Sequence, residues 1–234
     1  MITHTETFAL AVTLLSYELA EWLFRRSGRR AVFNPLLWAV VMVVPCLKLA
    51  RVEYDVYFSG ARFIHYLLGP ATVALAVPLY EQRRRVRAAL WPLAGATLAG
   101  AATSIGVTVA ALAAAGSGRL MVVSCAPKSA TTPVAMAVSE RLGGSLPLTA
   151  GAVLVTGVFG AVTALGFLDL AGRLTGRRSH AAEGFALGMC AHGAGTARAF
   201  QEGNEAGAFA GLAIGLHALA TAVMVPVALK LVGM

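Results

Sequence analysis

Two short polar interruptions lie in otherwise apolar stretches of this sequence, and each carries a permanent positive charge. The first, CAPKSATTPVAMAV, lies between Arg119 and Arg141 and contains Lys128. The second, AHGAGTARAF, spans residues 191–200 and contains Arg198. Ammonium and guanidinium groups form strong hydrogen bonds with anionic oxygens. The sequence therefore predicts that the two interruptions together bind an anion, and that this anion is a carboxylate.

The first interruption has the residues of a helix start. Thr132 precedes Pro133, and a hydroxyl residue at the cap followed by proline is typical of a helix N-terminus. Ser129 and Thr131 add hydroxyl groups at the same turn. A half-helix that begins at Pro133 would direct the positive end of its dipole toward Lys128, where an anion is favoured.

The second interruption has the residues of an unwound backbone. Gly193 and Gly195 suit a segment that leaves the helical conformation, and Thr196 is a candidate cap for a second half-helix that carries Arg198 in its first turn. His192 is the residue that would titrate if transport is coupled to protons. The alternative is that His192 has only a structural role and that its ring forms a hydrogen bond with a neighbouring carbonyl group.

Both cations also have a purely structural interpretation. A charged side chain at the centre of a membrane helix costs about 2.5–3.5 kcal/mol, which favours a functional role. Lys128 and Arg198 could instead extend to the membrane surfaces, or pair with Glu140 and Glu202 as anchors of the topology. Both interpretations stay open at the level of sequence.

The composition indicates a membrane protein. Hydrophobic residues make up 58% of the 234 residues and charged residues only 13%, whereas soluble domains carry about a quarter charged residues. Uncharged runs that exceed the roughly 20 residues of a membrane-spanning helix occupy residues 88–118, 142–168 and 206–229, with shorter candidates at 7–24, 34–50 and 63–80. We therefore expect a multi-pass protein of the inner (plasma) membrane.

The net charge of +8 is consistent with this location. Arginine clusters occupy residues 25–30, 83–87 and 173–178, and no aromatic residues interleave them. Basic clusters in short loops mark the cytoplasmic side of a membrane protein. Binding to nucleic acid, which favours basic faces with aromatic side chains, is not expected.

Catalysis is not expected either. Ser129, Lys128 and His192 could be assigned as a nucleophile and bases, but no acid orients the histidine and no G-x-S-x-G motif is present. The cysteines lack the spacing of a zinc site or of a disulfide framework, so we expect packing thiols, no metal and no cofactor; they are Cys46, Cys125 and Cys190.

The charge clusters favour re-entrant hairpins at the interruptions. Full crossings at residues 88–118, 119–141 and 146–168 would place the third arginine cluster opposite the second, against the positive-inside rule. The conflict disappears if residues 119–141 enter and leave from one face and residues 183–204 dip from the other. Irregular backbone is tolerated there when it is buried in protein. A discontinuous helix that crosses fully remains an alternative, because each segment has about 22 residues.

The fold class that follows is an all-α polytopic membrane protein. It has about six full transmembrane helices, two broken or re-entrant segments, and an inverted-repeat core like that of secondary transporters. We divide the single membrane domain into an N-terminal three-helix part, residues 1–87, and a core, residues 88–234, that contains both interruptions.

Four blocks of the sequence closely resemble the LrgB/CidB family of bacterial membrane proteins. They are NPLLWAVV, LLGPATVALAVPLY, APKSATTPVAMAVSERLGG and ALGMCAHGAGTARAFQEGNEAGA, and their order and spacing fit from about residue 34 to the end of the chain. One departure is Ala191, where the family pattern suggests a serine or threonine. The residues that match the family's two specific motifs are Lys128, Ser129, Thr131, Thr132, Pro133, His192, Gly195, Thr196 and Arg198.

This resemblance implies two functions. Members of the family are called antiholin-like and are linked to murein hydrolase export and autolysis, together with a small LrgA/CidA-type membrane protein. Related plastid proteins move glycolate and glycerate, and some bacterial relatives are associated with pyruvate. The resemblance therefore implies either transport of a small monocarboxylate, with a proton or sodium ion as possible coupling ion, or a lysis-related role. We expect a homo-oligomer and favour the transporter.

Overall fold

The computed structural model describes residues 4–28, 33–74, 76–176 and 178–234, and within these ranges the chain forms helices and no strands. The N-terminal helices are α1 (His4–Arg26), α2 (Pro35–Leu49), α3 (Tyr54–Ala74), α4 (Ala76–Glu81) and α5 (Arg83–Ala88). The later helices are α6 (Leu90–Ala114), α7 (Arg119–Cys125), α8 (Thr132–Arg141), α9 (Leu146–Thr175), α10 (His180–Glu202) and α11 (Asn204–Leu231). The all-α prediction is confirmed.

Four helices within the described residues are long and apolar enough to cross a membrane, where about six were predicted. They contain Glu6–Arg26, Leu90–Ala114, Leu146–Ala164 and Asn204–Leu231. Of the other two predicted crossings, residues 34–50 form the apolar helix α2, whose 15 residues are fewer than the roughly 20 of a spanning helix. Residues 63–80 are divided between α3 and α4, and residue 75 between them lies outside the described ranges.

The surface supports a membrane location. Large apolar side chains are strongly exposed on these helices, including Leu15, Trp91 and Leu231. Exposed apolar area of this extent is unfavourable in water but matches a lipid environment. The protein is a helical, multi-pass membrane protein.

The chain divides into two compact units, Met1–Leu75 and Ala76–Met234. The division predicted from the sequence lies further along the chain, between residues 87 and 88.

In the first unit, α1 packs against α2 and α3, and the Thr13 hydroxyl lies 2.7 Å from the Tyr57 hydroxyl. The side chain of Asn34 caps α2 by accepting hydrogen bonds from the backbone N–H groups of Leu36 and Leu37 in the first turn of that helix. Residues 29, 30 and 177 of the predicted arginine clusters lie outside the described ranges.

In the second unit, the first interruption is a hairpin. The backbone N–H of Ser145, beyond α8, donates to the hydroxyl oxygen of Ser124 in α7 at 2.8 Å. The Arg119 guanidinium at the start of α7 lies 3.8 Å from the position of a Cβ added to Gly143. A straight helix over residues 119–141 would separate these ends by about 33 Å. The chain therefore reverses direction between α7 and α8, and we call residues 119–141 the first hairpin.

The second interruption is also a hairpin, because α10 consists of two helical parts joined by a break at His192. A Cβ added to Gly195 would overlap the backbone carbonyl of Leu187, and Leu187 and Ala199 belong to one apolar cluster. In a straight helix, eight residues span about 12 Å. The helix therefore folds back on itself at His192, where the backbone is not helical. We call residues 180–202 the second hairpin.

The long helices α6, α9 and α11 hold the two hairpins. Near one end of the unit, residues of α6 and α11 pack with the first hairpin in a cluster that contains Ile105, Val122 and Val225. Near the other end, they pack with the second hairpin in a cluster that contains Leu93, Phe185 and Phe209. The hairpins thus approach one another from opposite ends of the same three helices.

Arginines of two clusters lie at the base of the second hairpin. Arg85 forms an ion pair with Glu205 at 2.5 Å, and Arg178 forms ion pairs with Asp169 and Glu183. Glu183 and Glu205 are neighbours in space, because the adjacent residues of α10 and α11 are in close backbone contact. The clusters at residues 83–87 and 173–178 are therefore at one end of the unit.

Candidate functional site

The tips of the two hairpins meet. The His192 ring nitrogen Nε2 lies 3.2 Å from the backbone carbonyl oxygen of Lys128 and donates a hydrogen bond to it. The same ring lies against α9, where a Cβ added to Gly157 would lie 3.2 Å from Nδ1. Glycine at this position therefore gives the imidazole the space it needs to reach the first hairpin.

The backbone of the second tip departs from the sequence-based expectation. Gly193 and Gly195 were the predicted points of unwinding, but the break is at His192, with φ 44° and ψ −125°. This conformation is unfavourable for a residue with a Cβ. The hydrogen bond to Lys128 and the packing on Gly157 are tertiary contacts that hold His192 in this conformation.

The first tip agrees with prediction apart from the cap. Helix α8 begins at Thr132, with Pro133 in its first turn, and the capping position is Thr131 rather than Thr132. The side chain of Thr131 makes no capping hydrogen bond, and the side chain of Thr132 is exposed. The expected half-helix is therefore present, but its N-terminus does not have the expected hydroxyl cap.

A hydroxyl pair fixes the first tip to α6. The oxygens of Ser129 and Ser104 lie 2.5 Å apart, and Ser129 is buried. Ser104 was not predicted as a site residue, because the run of small residues around it indicated only helix packing. The pair places two hydroxyl groups beside Lys128.

A cavity of about 700 Å³ lies beside the tips. Its wall includes the apolar side chains of Phe159, Phe167 and Met189. The polar side chains that line it are those of Ser104, Lys128, Ser129, Thr156, Thr163 and His217. Among the described residues of the wall, Lys128 is the one with a permanent charge. Ligand pockets typically measure about 300–1,000 Å³ and are mostly apolar with a few polar groups, and this cavity has both properties.

Several buried polar atoms near the tips have no hydrogen-bond partner among the described residues. They are the hydroxyl oxygens of Thr196 and Thr221 and both ring nitrogens of His217. His217 and Thr221 are one turn apart on α11, so their side chains share a face. Buried polar groups are almost always satisfied, which indicates that water or a ligand meets these atoms.

Arg198 does not share the cavity with Lys128. Its guanidinium lies 2.7 Å from the Glu202 carboxylate and 2.5 Å from the Gln201 side-chain oxygen. Arg198 is not among the residues that line the cavity. This ion pair with Glu202 is the one expected if Arg198 has a structural role as an anchor of the topology.

The remaining predicted site residues lie in the second hairpin, away from the cavity wall. Gly195 is buried against the backbone of Leu187, where a side chain would not fit, so its role is close packing. Thr196 is buried within the second half of α10 and does not cap it, because the helix there begins directly after His192.

No cluster of His, Cys, Asp and Glu suited to a metal ion is present in the described part of the chain. The three cysteines are free and partly buried, and Cys190 lines the cavity. The site is therefore built from one ammonium group, hydroxyls and an imidazole, which are groups that bind anionic and polar oxygens.

Sequence reasoning missed His217, although a signal for it exists. It is an ionisable residue within the apolar stretch of residues 206–229. Ionisable residues inside membrane helices are costly and usually functional.

Comparisons with known proteins identify the family of this chain. The profile of the LrgB-like family matches residues 13–231. Proteins named antiholin-like protein LrgB from Bacillus mycoides, Bacillus cereus and Bacillus anthracis are each 32% identical to the chain over 232 residues, covering 99% of the chain and 99% of each relative. No solved structure matches the chain. Since the match includes both hairpins and the long helices around them, this membrane protein belongs to the LrgB-like family.

Proposed function

We propose that this protein is a transporter that binds a small monocarboxylate, such as glycolate, glycerate or pyruvate, in the cavity beside the hairpin tips. The observation that carries the proposal is the contact between His192 and the Lys128 carbonyl. It joins two interrupted segments at a cavity in which Lys128 is the one permanent charge among the described wall residues. A half-buried ammonium group in a mostly apolar wall favours a ligand that supplies the opposite charge.

Helix termini at the tips add to this preference. Helix α8 begins at the first tip, and the second half of α10 begins after His192. The N-terminal end of each carries partial positive charge and free N–H groups, which favour an anion. The helices that end at the tips present carbonyl groups, which suit a coupling proton or sodium ion.

The opposed hairpins are the basis for proposing transport rather than binding alone. One hairpin follows α6 and the other follows α9, and they approach from opposite ends of the unit. We propose that these two parts are inverted repeats, as in many secondary transporters. Movement of the hairpins relative to the long helices would then open the cavity to each face of the inner membrane in turn.

A second candidate function has better support from the comparisons. Relatives that are 32% identical over nearly the full chain are named antiholin-like. In this role the protein would regulate murein hydrolase export and autolysis together with a small LrgA/CidA-type membrane protein, as a homo-oligomer. This candidate predicts an effect on membrane permeability or on a partner, without saturable uptake of a carboxylate.

Uptake by proteoliposomes separates the candidates. Purified protein is reconstituted, and entry of labelled glycolate is measured against an excess of internal glycolate. A transporter shows saturable exchange that pyruvate or glycerate inhibits. The Lys128→Gln variant should lose at least tenfold in uptake efficiency, because a hydrogen bond to a charged group contributes about 1.5–3 kcal/mol.

The matched control is Lys230→Gln, since Lys230 is an exposed lysine at the end of α11 and lies outside the cavity wall. It should transport like the wild type. Absence of saturable uptake, together with leakage of an entrapped dye, would contradict the transporter and support a pore. Equal losses in both lysine variants would contradict the proposed site.

A further inference from the structure

His217 is a buried ionisable residue that the proposed site does not yet use. It is 3% exposed, lines the cavity, and neither of its ring nitrogens has a hydrogen-bond partner among the described residues. An imidazole has at least one N–H donor and, when neutral, one acceptor nitrogen. Because His217 lines the cavity, a ligand there is a candidate partner for a ring nitrogen.

The position of His217 along α11 is level with the hairpin tips. Closer to the start of α11, Ala210 packs against Gly188 of the second hairpin. Closer to its end, Val225 packs with Val122 and Val123 of the first hairpin. His217 lies between these contacts and is therefore level with the hairpin tips.

The two histidines have different surroundings. His192 uses Nε2 to donate to the Lys128 carbonyl, and it is not among the residues that line the cavity. His217 lines the cavity and has no such partner within the described chain. The coupling proton that the sequence analysis assigned to His192 is therefore better assigned to His217.

The charged and titratable groups around His217 are few. The first hairpin contributes Lys128 to the cavity, and the second contributes Cys190 and, nearby, His192. The wall residues of α6 and α9 have no titratable side chain in the described structure. Helices α4 and α8 also contact α11, but their titratable residues are exposed and outside the wall; they are Tyr80, Glu81, Glu140 and Arg141.

We propose that His217 contacts the bound anion opposite Lys128 and takes up one proton when the anion binds. This inference rests on the proposed function. In the empty cavity, Lys128 disfavours a second positive charge. A carboxylate between the two side chains reverses this effect, so that anion binding and proton binding favour each other. The proton comes from water on the side from which the anion enters, and it returns to water when the anion leaves.

Titration calorimetry tests this linkage directly. Glycolate is titrated into purified wild-type protein at about pH 6.5, near the ordinary pKa of histidine, in two buffers with different ionisation enthalpies. The difference in heat gives the number of protons taken up per anion bound. The wild type should take up a substantial fraction of one proton, and so should the matched variant His180→Gln, because His180 is exposed and lies outside the cavity wall.

The His217→Gln variant keeps a hydrogen-bonding side chain but cannot take up the proton. It should bind glycolate about tenfold or more weakly and take up no proton. If its binding is too weak for calorimetry, the pH dependence of glycolate uptake serves instead: uptake should fall in the wild type and in His180→Gln as the pH rises through the ordinary pKa of histidine, and it should not depend on pH in this way in His217→Gln. Glycolate binding to the wild type without proton uptake would overturn the inference. So would proton uptake in His217→Gln equal to that of the wild type. Absence of glycolate binding and transport in the wild type would instead overturn the proposed function.

Discussion

The His192 imidazole and the Lys128 backbone carbonyl are 3.2 Å apart, although 64 residues separate them in sequence. The hydrogen bond between them joins the tips of two hairpins that enter the helical unit from opposite ends. It uses a backbone oxygen, so the Lys128 ammonium remains available to the cavity. Four predictions about this arrangement follow, and each addresses a different contact.

The first prediction concerns the direction of the first hairpin. Cysteines at Ser117, just before the hairpin, and at Glu140, near its end, should react with a membrane-impermeant thiol reagent from the same face of the membrane. A cysteine at Thr175, at the far end of α9, should react from the opposite face, because 30 residues of helix separate the ends of α9. The background protein has Cys46, Cys125 and Cys190 replaced by serine.

Reaction of the Ser117 and Glu140 cysteines from opposite faces would contradict the hairpin. That result would support the alternative that residues 119–141 cross the membrane fully.

The second prediction concerns the backbone of His192. Its φ of 44° costs an L-residue about 1–2 kcal/mol but costs glycine little. His192→Ala and His192→Gly both lose the hydrogen bond to the Lys128 carbonyl, worth about 1 kcal/mol. His192→Gly should therefore unfold at a higher temperature than His192→Ala in detergent, whereas the opposite order is expected of residues with ordinary helical conformation. If the unfolding midpoint of His192→Gly were equal to or lower than that of His192→Ala, the backbone break would not be located at residue 192.

The third prediction concerns the close contact between α10 and α11. A Cβ at Gly188 would overlap the backbone of Ala210, so Gly188→Ala should reduce the free energy of unfolding by about 1–3 kcal/mol. The matched control is Gly215→Ala, because a Cβ at Gly215 has no atom within 4 Å. Thermal unfolding in detergent measures both variants. A Gly188→Ala variant as stable as Gly215→Ala would contradict the packing.

The fourth prediction concerns Arg198. Its ion pair with Glu202 is partly exposed, and such pairs contribute about 0.2–1 kcal/mol. Arg198→Glu should lower stability slightly, and the double variant Arg198→Glu with Glu202→Arg should restore it. Glycolate uptake should survive in the double variant, because Arg198 lies outside the cavity wall. Loss of glycolate uptake in a stable double variant would indicate that Arg198 does take part in anion binding.

Much of the fold could be predicted because its signals are local. Uncharged runs of helical length, the Thr132–Pro133 helix start and the arginine clusters are all readable from the chain. They indicated the two interruptions and favoured the hairpin geometry. Four of the roughly six predicted spans are long and apolar enough within the described residues, and the others are not confirmed; α2, for example, has only 15 residues.

The details of the site depend on contacts between distant residues. Glycine content suggested unwinding at Gly193 and Gly195, but packing and the bond to Lys128 put the break at His192. Arg198 and Lys128 looked equivalent in sequence, yet Glu202 one turn away engages Arg198. His217 has no local motif, and the rest of the cavity wall that it lines comes from α6, the first tip, α9 and α10.

The central claim is that the first hairpin tip and α6 form one wall of an anion-binding cavity. Disulfide formation between cysteines at Ser104 and Ser129 tests it most directly, because their side-chain oxygens lie 2.5 Å apart and both line the cavity. The control pair is Ser139 and Thr149, whose oxygens lie 2.7 Å apart outside the cavity wall.

In the cysteine-free background, both pairs should cross-link under mild oxidation. Glycolate should slow cross-linking of the cavity pair several-fold, the neutral analogue glycolamide should not, and the control pair should respond to neither. A cavity pair that fails to cross-link while the control pair does, or that cross-links at the same rate with and without glycolate, would contradict the account.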